Sequence, residues 1–252
     1  MAEEFAVVKS DQGLLVLRAE GLLLFLTFGL GKLIGLILRI ASGQPLGTSG
    51  IAKLIAGVGL PAAGLLAAFV VLSESIAALL LVIGWFTRTA ATCTALSMAG
   101  ALYYSLGAGE EPLRAAVYLV VFATLALTGP GRCSIDRKTY RAREGLLVLR
   151  IGLVIATLLL FALPQAGAGK MNLVLLIAIA AGTLVVAIGI QIRIAAAATA
   201  LAWLVALGLD LGHGVRWFNS PTRAAEFAIA FAALAVAEHA RMSATTRSGS
   251  AA

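Results

Sequence analysis

Charge is what this chain has least of. Charged residues make up 12% of its 252 residues, where a soluble domain carries about 25%. Hydrophobic residues make up 61%, so too little polar surface exists to cover a body in water. The solvent is lipid. Acidic residues are scarcer than basic ones, 12 against 19, for a net charge of +7. The basic residues sit between apolar runs rather than in a patch. That argues against nucleic acid as a partner and for topology signals and contacts with anionic lipid. Cysteine is nearly absent: Cys93 falls in an apolar segment, Cys133 in a basic loop, and they form no Cys-x-x-Cys pair. Membrane thiol oxidases exchange disulfides through paired thiols, so that class is disfavoured. The two histidines, His213 and His239, are expected at opposite membrane faces, so neither a bis-histidine haem nor a metal site is expected. The acidic start Met1-Ala2-Glu3-Glu4 is followed by no small-residue cleavage site, and no cleaved signal peptide is expected.

What is present is a repeat. Gly13-Leu14-Leu15-Val16-Leu17-Arg18 returns letter for letter as Gly145-Leu146-Leu147-Val148-Leu149-Arg150. Further matches follow in the same order. Gly84 and Arg88 answer to Gly189 and Arg193, and Thr94-Ala95-Leu96 to Thr199-Ala200-Leu201. Leu106-Gly107-Ala108-Gly109 answers to Leu211-Gly212-His213-Gly214, and Pro112-Leu113-Arg114-Ala115-Ala116 to Pro221-Thr222-Arg223-Ala224-Ala225. This order reads as a tandem duplication.

Eight apolar segments are predicted: Leu14–Leu38, Leu60–Trp85, Phe86–Leu106, Leu113–Leu127, Gly145–Leu163, Met171–Gly189, Ile194–Leu211 and Thr222–Ala237. Pro112 and Pro221 precede the fourth segment of each copy, where a missing N–H costs nothing. The reading is an all-α polytopic membrane protein, two tandem four-helix transmembrane bundles with both termini in the cytoplasm. Residues 1–137 form the first repeat, 138–144 a basic cytoplasmic linker, 145–241 the second repeat and 242–252 a disordered tail. The basic residues Arg132, Arg137, Lys138, Arg141 and Arg143 hold the connection between copies in the cytoplasm. A short interfacial helix is predicted around Ile51–Val58 on the outer surface. The second copy instead lengthens its last outer loop, Val215-Arg216-Trp217-Phe218-Asn219-Ser220, into a candidate surface anchor.

The first copy resembles the DoxX family of four-helix prokaryotic membrane proteins. The resemblance rests on Leu17-Arg18, Phe28-Gly29-Leu30-Gly31-Lys32, Gly59-Leu60-Pro61, Glu74 and Gly84-Trp85-Phe86-Thr87-Arg88. It closes on Gly129-Pro130-Gly131-Arg132-Cys133-Ser134-Ile135-Asp136. It covers roughly residues 13–137. Cys133 stands where an aromatic is more usual, and Phe28 where many members have histidine. The second copy keeps the spacing but loses the motifs, and is read as a degenerate repeat. The resemblance implies a multi-pass protein of the prokaryotic inner membrane. It also implies a link to membrane redox complexes, some of them quinone-linked.

Charges inside the apolar segments are the candidate functional groups, since each costs about 2.5–3.5 kcal/mol at the bilayer centre. At about 1.5 Å per residue, Arg18 falls roughly 6 Å inside the cytoplasmic edge, Glu74 roughly 16 Å and Lys32 roughly 27 Å. Glu74 shares a stripe with Ala63, Ala67 and Ala78, which turns it toward the bundle interior. The Arg18–Lys32 face opposes it across axial gaps of roughly 10 Å, long for direct contact. Tyr103 and Tyr104 are level with Lys32, and Arg114 and Tyr118 share a face of the fourth segment. These residues outline a polar pocket, with Glu74 as the candidate for proton exchange and Lys32, Arg18, Tyr103, Tyr104, Arg114 and Tyr118 as candidate ligand-binding residues. Glu20 points away from Arg18, toward the second copy or a partner protein. In the second copy Ile179 replaces Glu74 and Pro164 replaces Lys32, so the site is expected in the first copy alone. The plainer reading stays open: Arg18, Arg88, Arg150 and Arg193 as snorkelling interfacial residues, and Glu74 as a hydrogen-bonded core acid.

Three functions compete. The first is a quinone-linked redox membrane subunit with no covalent cofactor, in which a bound quinone meets Glu74 and Lys32 and a protein partner supplies electrons. The second is a scaffold recruiting a soluble redox enzyme. The third is a small-molecule transporter, disfavoured because the four-span repeats are parallel and unbroken.

Overall fold

The computed structural model describes residues 2–108, 112–131, 134–136, 142–162, 173–189, 191–213 and 222–249. Among them every element is helical. The first rod is α1 (Ala2–Leu24), a π-helical turn (Phe25–Gly29) and α2 (Leu30–Ala41). The short α3 (Gly50–Gly57) follows, capped by the Ser49 hydroxyl, which accepts from the Ala52 N–H at 3.1 Å. The second rod is α4 (Ala63–Leu72), a second π-helical turn (Ser73–Ala77) and α5 (Ala78–Ile83). Then come α6 (Thr87–Ala108), α7 (Leu113–Thr128), α8 (Ala142–Ala162), α9 (Leu173–Ile188), α10 (Ile192–His213) and α11 (Thr222–Gly249).

Each segment predicted from the sequence contains a helix, and the expected short helix is α3. Two expectations change, and a third is matched only in part. The two rods are not unbroken, since each holds a π turn. The helix of α11 runs to Gly249 where a disordered tail from 242 was expected; Ala, Arg, Met and Glu after Ala235 are strong helix formers that let it continue. Eight spanning segments were also expected, but among the described residues only Gln12–Ala41 and Ala63–Ile83 are both long and apolar enough to cross a bilayer. Leu113–Thr128, Leu175–Ile188 and Ile192–Gly208 are apolar but shorter. The linker 138–144 lies mostly outside the described residues, as do Pro164, Cys133 and the Trp217 loop.

The residues before and after the linker share one core. Leu14, Leu17 and Leu24 of α1 belong to the same buried cluster as Phe122 of α7, Leu153 of α8 and Phe231 and Leu234 of α11. The closest pairing is α1 with α11, the first helix against the last. A Cβ on Gly13 would lie 2.9 Å from Ala237 Cβ, so the backbones nearly touch there. The sequence left open whether the two four-helix copies pack as one bundle or two. In the structure the first and fourth helices of each copy meet at a common centre, because each carries an apolar face its own copy leaves uncovered.

The outer surface is apolar. Leu38, Ile40, Leu65, Leu96, Leu184 and Leu201 are all exposed, while Glu20, Glu74 and Glu226 are buried. That distribution is inverted relative to a water-soluble protein, whose exposed apolar patches are small. It suits a hydrocarbon surrounding.

Candidate functional site

The π turns face each other. At Phe25–Gly29 and Ser73–Ala77 the two rods approach so closely that a Cβ on Gly29 would lie 2.1 Å from the Glu74 carbonyl oxygen. A π turn frees backbone groups from the regular ladder, and neighbouring hydroxyls take them up. Thr94 on α6 donates to the Ser73 carbonyl at 3.2 Å, and Thr27 donates to the Leu23 carbonyl at 2.6 Å. The extra residue in each turn also reorients the side chains that follow. Glu74 sits inside one π turn, and Lys32 follows the other by one helical turn. Their side chains form a direct ion pair between Lys32 Nζ and Glu74 Oε2. The gap expected from straight, upright helices is closed by the lysine stem and this local rewinding.

Glu74 is 3% exposed. Its other oxygen accepts a weak hydrogen bond from the Ser97 hydroxyl at 3.5 Å. Lys32 is half-buried and its ammonium stands 5.5 Å from the centre of the Phe28 ring. The pair lines a cavity of about 270 Å³, walled also by Leu54 and Ile55 of α3, by Val58 at its end, and by Phe69 and Val70 of α4. Ser97, Gly100, Tyr103 and Tyr104 of α6 complete it. Tyr103 is mostly exposed at the rim. Lys32 also borders a second hollow of about 200 Å³ with Arg39, Gly35 and Gly64. A mostly apolar chamber whose lining holds a cation, a carboxylate and a hydroxyl in mutual contact fits an amphipathic molecule with a polar head.

Of the residues singled out from the sequence, the structure gathers Glu74, Lys32, Tyr103 and Tyr104 around this cavity. Arg18 is elsewhere. It donates to the Leu81 carbonyl at 2.9 Å and to that of Val82, closing the end of α5. Gly84 (φ +71°) turns the chain there, and a Cβ on it would lie 3.0 Å from the guanidinium. Arg150 does the same for α9, donating at 2.8 Å to the Val186 and Ala187 carbonyls beside Gly189 (φ +89°). These arginines are helix caps, and their aim at orphan carbonyls satisfies groups that lipid cannot. Arg88 likewise donates to the Ala126 carbonyl at 3.1 Å. Asp136 of the closing motif accepts from the Thr87 N–H at 3.0 Å, and its own N–H donates to the Gly84 carbonyl. Many of the recognisable motifs therefore meet at one end of the molecule as a structural knot.

Arg114 and Tyr118 do lie together, but outside the lining of this cavity. Arg114 stands 4.9 Å from the centre of that ring and pairs with Glu226 of α11 at 3.3 Å. Tyr118 is buried and stacked on Phe122 at 5.7 Å. Four features escaped sequence reasoning: the π turns, Ser97, the approach of two cations to the Phe28 ring, and Glu226 as the partner of Arg114. Gly29 was the readable clue to the first, being a small residue where a backbone must approach.

Residues 13–106 match the DoxX family model. This chain carries a DoxX domain. The matched stretch contains both π turns, Lys32, Glu74, Ser97 and every wall of the cavity. It stops before α7 and the closing motif, so the resemblance read over 13–137 is matched over its first three long helices. No curated protein and no solved structure matches the chain. The DoxX domain makes this a membrane-associated protein, in agreement with its apolar exterior.

Proposed function

We propose that the DoxX domain binds the polar head of a lipid-soluble molecule in the Lys32–Glu74 cavity, with a quinone as the ligand class. The protein then acts as the membrane subunit of a redox complex whose partner supplies the electrons. Lys32 would donate to a quinone carbonyl, Glu74 would exchange the proton, and the α3 wall would hold the ring and first tail carbons. The observation that carries this reading is an ion pair between buried Glu74 and half-buried Lys32 in the lining of a mostly apolar chamber. The equivalent place in the second half supports it. There Ile179 is fully buried, so the bundle packs without an acid at this position. In this reading the chain is an inner-membrane protein of eight spans, with residues 145–241 a degenerate second repeat and both termini cytoplasmic.

The test is mass spectrometry of lipids retained after mild extraction, comparing wild type with Glu74→Gln. A near-stoichiometric quinone in wild type and its loss in the variant are expected. Equal traces in both would remove the quinone role.

A second reading rests on the ion pair itself. Lys32 and Glu74 satisfy one another, so they could serve only to lock the two π turns while the protein acts as a scaffold. Replacing both at once with Met and Leu separates the readings. A scaffold would keep its partner protein, because a buried pair exchanged for apolar residues is often neutral or stabilising. A ligand site would empty.

A further inference from the structure

A second buried polar centre lies where the two halves meet, and nothing in the Lys32–Glu74 reading uses it. Glu20 of α1 is 0% exposed and Tyr118 of α7 is 1% exposed. Neither carboxyl oxygen of Glu20 nor the Tyr118 hydroxyl has a hydrogen-bond partner, although Thr27 stands beside the tyrosine. Arg114 of α7 and Glu226 of α11 form their ion pair in the same neighbourhood, within electrostatic range of Tyr118, and Glu226 is within range of Glu20. On the α5 side, the atoms nearest the adjoining Gly21 belong to Ala78, Leu81 and Val82.

The fold does not require this chemistry. The sequence echo pairs Glu20 with Gly152, Glu226 with Val117 and Tyr118 with Phe227. Arg114 answers to Arg223, and the positions matching Glu20, Glu226 and Tyr118 at that opposite crossing are apolar and tight. Val117 and Phe227 are fully buried, and a Cβ on Gly152 would lie 2.4 Å from Val120. At these matched positions one crossing of the halves is apolar and close-packed, while its counterpart holds two carboxyls and a phenol beside the Arg114 guanidinium. Two like charges in one low-dielectric site cannot both be sustained by a single guanidinium without further donors. A proton on one of the two carboxyls removes the surplus negative charge.

We propose that Glu20, Tyr118, Arg114 and Glu226 form a proton-binding centre between the two halves of the protein. Arg114 balances the Glu226 carboxylate, and Glu20 carries an exchangeable proton on a carboxyl oxygen. The Phe28 ring, flanked by Arg114 and Lys32, sets this centre next to the DoxX cavity. The proposal does not depend on what that cavity binds.

Infrared spectroscopy of the full chain in lipid, in H2O and then D2O, tests it. The wild type is expected to show the carbonyl stretch of a protonated carboxyl, shifting on deuteration. The band should persist in Glu74→Gln and vanish in Glu20→Gln. It should also vanish in Glu226→Gln, because Glu20 then ionises to pair with Arg114. A wild type without the band overturns the proposal with no variant needed. A band that survives Glu20→Gln overturns it as well. If Glu20→Gln does not fold, a band surviving Glu226→Gln has the same force. A band that fails to shift in D2O removes proton exchange.

Discussion

Gly29 and Glu74 show how one missing carbon positions a charged side chain. Without a Cβ at 29 the two π turns come together, and their contact brings the Lys32 stem within reach of Glu74. Gly29→Ala is expected to destabilise the protein by about 1–3 kcal/mol, the usual cost of overpacking. Gly31→Ala, with nothing within 4 Å of its added carbon, is the matched control and should leave thermal stability unchanged or slightly raised. A scan of retained monomer against temperature in detergent checks both. Breaking the ion pair from one side is expected to cost more than removing it whole. Lys32→Met leaves a buried carboxylate alone, a loss of up to about 3–5 kcal/mol for a fully buried pair and less here because Lys32 is part-exposed. The double variant Lys32→Met, Glu74→Leu should recover most of that loss.

At the level of elements, the arginines that end the repeated Leu-Val-Leu-Arg motif have one task each. Arg18 caps α5 and Arg150 caps α9, by the same pair of donors onto the last carbonyls and beside a glycine in left-handed conformation. This is the clearest structural echo of the duplication. Arg18→Ala and Arg150→Ala should each cost about 1.5–3 kcal/mol, the range for hydrogen bonds to a charged group. Neither should change what the cavity binds at fixed folded protein. Binding that fell with Arg18→Ala in the folded fraction would return Arg18 to the ligand site. The helices themselves were legible: apolar length, the prolines before α7 and α11, and Thr128-Gly129-Pro130 after α7 all lie in the sequence. The π turns were not, because a one-residue rewinding leaves hydrophobic periodicity almost unchanged.

At the scale of the molecule, the two halves are expected to need each other. Residues 1–137 expressed alone would expose the α1 face that α11 covers, and residues 138–252 the α8 face that α7 covers. Co-expressed halves should copurify as a pair, whereas each alone should aggregate or degrade; two independently stable halves would contradict the shared core. Eight spans make a separate demand. In a background with Cys93 and Cys133 changed to Ser, Tyr140→Cys should be labelled only from the cytoplasmic side and Thr48→Cys only from outside. Labelling of both from one side would remove the eight-span arrangement.

Composition and order of residues decided by themselves that this chain is helical, that lipid suits its exterior, that it contains an internal echo, and that Glu74 and Lys32 are out of place in an apolar segment. Those are one-dimensional properties: hydropathy, spacing and the cost of a charge can be summed along the chain. Which charges meet was decided only by tertiary structure. Arg18 and Lys32 lie near one face of the same rod, yet one ends on backbone carbonyls and the other on a carboxylate. Arg114 and Glu226 come together because the last helix also packs against α7. A contact between residues far apart in sequence depends on the depth, tilt and rewinding of two helices at once, and no local pattern encodes that combination.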